Sequence, residues 1–433
     1  MTTVMSGWAR RAGFGLAAVI LVATSACAAS SGDAGDVVSV LDAPRPLAVP
    51  EVLPGSGEAN LFAADGQLYM SWLEPGADDE WALRFATLKG EAWSLPHTVV
   101  SSSDFFVNWA DFPSIIATPG GGLVAHWLER SGEGTFAYDV RLSRSLDGGK
   151  TWSESFRPHE DGTQTEHGFV SLVPELDGGF TAVWLDGRNF ATAADHPAAD
   201  HSGAEMTLRS RRYAADGRAD PERLLDARIC DCCQTSAAYV DDTLMVAYRD
   251  RSPNEVRDIF VVTRAASGWS EPVAVGDDQW MIPGCPVNGP SVAAQGDLGA
   301  VAWFALVAGT PEVKVAFTRD QGDSFGPPVL VERGSIEAAT LGRVDLEWID
   351  NDVVLVSWLT SVGTDGEIRY RTVDVDGAVG AVSVLAGISP SRSSGFPQMA
   401  RAGERVVFVW REIDEPATLR MAAIPLRSPA VGD

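Results

Sequence analysis

The chain has 433 residues and carries 59 acidic against 33 basic side chains, a formal charge of −26. That balance excludes nucleic acid as a partner, because phosphate binding requires a concentrated basic face. An anionic ligand would need a local arginine cluster to overcome the global field.

Residues 1–29 read as an export signal: Arg10 and Arg11 precede an apolar run from Leu16 to Val22, and the small residues Ser25-Ala26-Cys27-Ala28 follow. Cys27 stands where a lipoprotein carries its lipid-modified cysteine. Ala26-Cys27-Ala28 also fits an ordinary signal-peptidase site, and the apolar run is just long enough to serve as an uncleaved anchor. The expectation is an exported, lipid-anchored protein of the cell envelope that meets the membrane only through this anchor. Removing residues 1–26 takes away Arg10, Arg11 and no acid, which moves the charge from −26 to −28. Ser30 to Gly35 is rich in Gly and Ser, and residues 30–36 form a flexible tether.

From residue 37 to 426 one pattern repeats seven times. A short apolar run ends in an aromatic at Trp72, Trp127, Trp184, Tyr248, Trp303, Trp358 and Trp410, at intervals of 55, 57, 64, 55, 55 and 52 residues. Regular periods of this length mean one structural unit repeated. The unit between Pro113 and Pro158 holds a β-branched run, a Pro119-Gly-Gly-Gly122 turn, a buried strand to Trp127, an alternating strand from Tyr138 to Ser145, a turn at Asp147-Gly-Gly149 and a last short strand. Four short strands cannot cover both of their faces alone. Stacking such units around an axis does, so the sequence predicts an all-β fold, a single seven-bladed β-propeller, with six blades if a terminal unit is a partial wrap. The last unit lacks a fourth strand, and the stretch from Val37 to Leu53 is expected to supply it and close the ring. Residues 427–433 form a tail.

Ser145-Leu-Asp147-Gly-Gly149-Lys-Thr151-Trp152 matches the S-x-D-x-G-x-T-W hairpin, and Thr318-Arg-Asp320-Gln-Gly322-Asp-Ser324-Phe325 is a degraded copy. This motif resembles the Asp-box of bacterial neuraminidases, so the chain is similar to the sialidase-like propellers with their BNR/Asp-box repeats. The resemblance implies exo-glycosidase activity of the sialidase type; a monomer is expected. Members of that superfamily also carry an Arg-Ile-Pro motif, and the nearest strings here are Arg45-Pro46-Leu47 and Arg228-Ile229-Cys230. Their Asp-boxes lie on the face away from the catalytic centre.

What all seven units share is structural, so features present once need another reason. Propeller topology places the crossover loops and the second-to-third-strand loops on one face, around one mouth of the channel. Cys230, Cys232 and Cys233 precede the fourth unit, and Cys285 and Asn288 precede the fifth. Asp186 and Arg188 follow one aromatic strand; Arg249, Asp250, Arg251, Glu255, Arg257 and Asp258 follow Tyr248. Asp111 completes the rim with Asn108. Asn189 to Met206 is an insertion holding Asp195-His196 and Asp200-His201, placed to act as a lid.

Cys230, Cys232, Cys233 and Cys285, with His167, suit Cu(I) or Zn(II); the alternatives are two disulfides or free thiols. Arg188, Arg249, Arg251 and Arg257 read either as inter-blade ion pairs or, with Glu255, Asp258, Asn288 and Asp111, as a binding site for a carboxylate or sulfate. Glycoside cleavage needs a protonated acid and a nucleophile or activated water. Asp186, Asp250 and Asp258 are candidates for the acid, and Tyr248 or Tyr138 for the nucleophile. Three functions stay open at this point. One is binding of a polar extracellular small molecule or glycan, with sialidase-type cleavage as its enzymatic form. The second is a metal-bearing or redox envelope protein, and the third is a non-catalytic face for a protein partner.

Overall fold

The computed structural model describes residues 40–192 and 204–427, and within them the chain forms seven antiparallel sheets arranged as the blades of a propeller. Cys27, the export signal, the tether, His196, His201 and all but the first residue of the tail lie outside the described residues. Among the described residues no helix is long and apolar enough to cross a membrane.

Each blade begins with a strand beside the channel: Gly57–Ala64, Ser114–Thr118, His167–Pro174, Ser236–Val240, Ser291–Gln295, Ala338–Trp348 and Gln398–Arg401. The second strands carry the repeated aromatics and are buried along nearly their whole length, as in Phe180–Asp186, because they are sandwiched between neighbouring blades. Trp72, Trp127, Trp184, Trp303 and Trp358 are at most 2 % exposed, so they form the core between blades. The ring closes as the missing fourth strand requires: Arg45–Leu47 pairs with Thr418–Pro425, with Arg45 opposite Ala423. Blade two differs in one respect from its sequence pattern. Its fourth strand is reduced to a two-way backbone contact between Phe156 and Leu142, after which Pro158, lacking an N–H, cannot extend the ladder.

Both Asp-box hairpins are built alike. Asp147 Oδ1 accepts from the amides of Lys150 and Thr151 at 3.0 and 2.9 Å, and Ser145 Oγ accepts from Gly149 N at 2.8 Å. In the degraded copy Asp320 accepts from Ser324 N at 3.0 Å and Thr318 Oγ1 from Gly322 N at 2.9 Å, so Thr and Ser replace each other without loss of the turn.

Candidate metal centre and channel mouth

The crossover loops interlock over one end of the channel. Gln234 joins three of them, donating to Ala110 O at 2.6 Å and accepting from Gly289 N at 3.1 Å. A side chain on Gly289 would stand 2.1 Å from Gln234 O, which is why glycine occupies that position. Asn288 fastens the next loop, accepting from Arg343 N at 2.7 Å and donating to Leu341 O at 3.2 Å. Beneath lies a cavity of about 430 Å³ lined by Asn60, Asp111, Thr235, Asp345, Glu347 and Gln398, among others.

On this face the cysteines converge. The sulfurs of Cys230, Cys232 and Cys233 lie within 4.8 Å of one another, and Cys230 and Cys233 are 3.3 Å apart. All four cysteines are unbridged, with Cys285 from the adjacent crossover exposed and in contact with Cys232. Arg257 Nη1 donates to Cys230 Sγ at 3.2 Å. Burial by itself would raise the Cys230 thiol, but contacts from Cys232 and Cys233 and the charges of Arg257 and Arg249 hold it well below its ordinary value. Burial pushes the other two thiols up. A thiol drawn toward its thiolate form beside a fixed cation suits a soft-metal site.

The arginines act mostly as braces. Arg249 is 1 % exposed, its Nε, Nη1 and Nη2 donate to the carbonyls of Asn288, Arg257 and Phe304 at 2.6–2.9 Å, and it lies over the Trp280 ring. Arg251 pairs with Glu255 at 2.8 Å and Asp231 at 3.5 Å; Arg257 shares Glu255 at 2.9 Å. Asp258 accepts from the amides of Gln279 and Trp280 at 3.0 and 3.1 Å. Asp250, pushed up to about 6 by burial, adjoins Asp258 through its backbone.

Two candidate catalytic residues stand apart from the thiols. The hydroxyl of Tyr248 donates to Asp226 at 2.6 Å, and burial holds its phenol far above its ordinary value, which makes it a poor nucleophile. Asp186 accepts from the indole of Trp184 at 2.8 Å, the same role that Glu74 and Glu129 play for Trp72 and Trp127, so this acid belongs partly to the repeat. The expectation that His167 joins the cysteines is corrected: its ring faces Thr165 O, Asp161 and Asp186 instead of a thiol. Arg188 grips Asp186 through Nε and Nη2 at 2.7 and 2.6 Å and also reaches Glu222 at 2.9 Å.

Sequence reasoning passed over His159, Asp161, Asp139 and Glu222, which surround His167 and Arg188. The available signal was the string from Pro158 to Glu166, present in one crossover alone. Glu166 was also missed; it accepts from Tyr138 at 2.8 Å, with Asp111 3.4 Å from the same hydroxyl.

Asp111 receives Phe169 N at 2.9 Å, yet burial raises it to about 7, and burial likewise raises Asp345 to about 6 and Glu347 to about 8. A carboxyl raised on folding stabilises at low pH and loses that contribution as pH climbs from its unfolded value through its folded one. Between pH 4 and 8 stability is therefore expected to fall as pH rises. Asp111→Asn should flatten the slope by roughly 2–4 kcal/mol across that window, at about 1.4 kcal/mol per unit of separation. Urea denaturation at pH 5 and pH 8 tests this, and an unchanged slope in the variant refutes the assignment to Asp111.

No family model matches the chain, and no curated protein does. Among solved structures, an ulvan lyase of polysaccharide lyase family PL25 is 10 % identical with a TM-score of 0.51, covering 89 % of this chain and 95 % of its own. A Hadza microbial sialidase is 14 % identical with a TM-score of 0.47, over 83 % of this chain and 76 % of its own. The NanB sialidase of Streptococcus pneumoniae is 9 % identical with a TM-score of 0.44, over 83 % of both chains. By fold the chain is a seven-bladed β-propeller, similar in fold to the ulvan lyase.

Proposed function

We propose that the protein is an exported propeller, lipid-anchored at Cys27, that holds a soft d10 ion, Cu(I) or Zn(II), in a thiolate site at its channel mouth. One observation carries this reading: three sulfurs from one crossover lie within 4.8 Å of one another, with Arg257 donating to the innermost. Thiolates select such ions by softness, and the metal displaces the thiol protons on binding. Cys232, Cys230 and Cys233 are the holding ligands, and Cys285 meets the ion from the neighbouring blade.

The test is intact mass with elemental analysis of protein purified without oxygen. About one Cu or Zn per chain supports the reading. A metal-free protein lighter by four hydrogens establishes two disulfides and overturns it.

A second reading, glycan binding, is favoured by the polar cavity of about 430 Å³ beneath the mouth and by the fold shared with the ulvan lyase. The arginine braces argue against a sialidase-type carboxylate clamp at Arg249, since its donors already have carbonyl partners. Turnover of a fluorogenic sialoside or depolymerisation of ulvan by the metal-free protein would place glycan chemistry ahead of metal binding.

A further inference from the structure

The crossover between blades two and three folds a second cluster of donors into the protein, separate from the thiols. His167 is fully buried, and its Nδ1 lies 3.1 Å from Thr165 O. A carbonyl only accepts, so Nδ1 carries a hydrogen, and a neutral ring would present the lone pair of Nε2. That lone pair faces two further acceptors, Asp161 Oδ2 at 3.3 Å and Asp186 Oδ1 at 3.7 Å. No hydrogen bond reaches His167 Nε2 or Asp161 Oδ2, although both atoms are buried. Acceptors turned toward one another in a dry site repel unless a positive species lies between them.

We propose that Asp161, His167 and Asp186 form a site for a divalent cation of the first transition row. Their ligand atoms lie within 4.8 Å of one another. A shell with bonds of about 2.0–2.2 Å sets neighbouring ligand atoms roughly 3–3.5 Å apart; the 3.3 Å separation matches it, and the 3.7 Å one needs a small inward shift of Asp186. The oxygen and nitrogen donors suit Mn(II), Fe(II) or Zn(II) rather than Cu(I).

The surroundings supply what such a site needs. Thr165 O orients His167, as an outer partner does for a metal-binding imidazole. His159 stacks on His167 with centroids 3.8 Å apart and planes 3° from parallel, so it lies outside the plane in which His167 coordinates. Its Nδ1 sits 3.2 Å from Asp161 Oδ2 but outside hydrogen-bond geometry. Arg188 holds Asp186, its Nε donating to the same Oδ1, and its Nη2 stands 3.5 Å from Asp161 Oδ2. Asp139, Asp161, Asp186 and Glu222 meet Arg157, Arg188 and Arg209, which leaves the cluster one positive charge short. The competing occupant is a proton on the imidazole.

Mn(II) separates the two, since it prefers these donors and binds thiolates poorly. The full chain is titrated with Mn(II) while the resonance of the free ion is followed by electron paramagnetic resonance. One Mn(II) per chain is expected in the wild type and in Cys232→Ser, with affinity reduced at least about 30-fold in Asp161→Asn and in His167→Gln. Circular dichroism checks the fold of each variant, and two substitutions guard against one failing to fold. Mn(II) that stays free at millimolar protein, or binding unchanged by both substitutions, overturns the site and leaves a protonated imidazole there. Loss in Cys232→Ser alone would move the ion to the thiols and overturn it equally.

Discussion

Replacing Cys230 by serine is expected to weaken binding of Cu(I) at the mouth by at least about 100-fold, whereas Cys285→Ser reduces it by less than about tenfold. The difference follows from position. Cys230 is buried, 3.3 Å from Cys233, and is the thiol that Arg257 holds toward the thiolate form. Serine there removes the softest donor and leaves Arg257 Nη1 without its sulfur acceptor. Cys285 is exposed and meets the group beside Cys232. Competition with a calibrated Cu(I) chelator under anaerobic conditions measures both. Equal losses would make Cys285 a full ligand of a four-sulfur site, and no loss in Cys230→Ser would remove the thiols from metal binding.

Arg249→Met should lower stability by about 3–5 kcal/mol, the largest effect expected from any single arginine. Methionine keeps much of the volume but donates nothing, so the carbonyls of Asn288, Arg257 and Phe304 lose their partners in a dry interior. Those carbonyls belong to three segments, including the loop that carries Asn288 and the one that carries Arg257. The stack on Trp280 is lost with them. Urea denaturation gives the change directly. A loss below about 1 kcal/mol would show that the carbonyls are satisfied without the guanidinium.

The repeat was legible because every blade buries its second strand between two neighbours, so each unit needs a large aromatic at the same depth. The same logic located the ring closure, since a three-stranded last blade leaves an edge that only the stretch from Val37 to Leu53 was free to cover. The degraded Asp-box was legible too, because Thr318 and Asp320 present the same oxygens as Ser145 and Asp147.

The sites were legible only in part. Tyr248 and Arg249 are adjacent, and sequence reasoning grouped them, yet successive side chains on a strand point to opposite faces. Tyr248 therefore meets Asp226 of the preceding blade, while Arg249 meets the loops of the mouth. Asp186 looked singular beside Arg188, but its bond to Trp184 repeats that of Glu74 and Glu129. His159 and Asp161 gave no periodic signal, since crossover residues have no counterparts in other units.

By itself the amino-acid order determined the number of blades, the strand that seals them and the face on which the cysteines meet, because these follow from period, burial and chain direction. Which donors face one another was decided by the tertiary structure. Distances of 3–4 Å between side chains of crossovers and of the strands beside them depend on strand register and on how far each crossover reaches inward. Neither is encoded in the spacing of any one segment, and together they place Cys230 against Arg257 and His167 against Asp161 and Asp186.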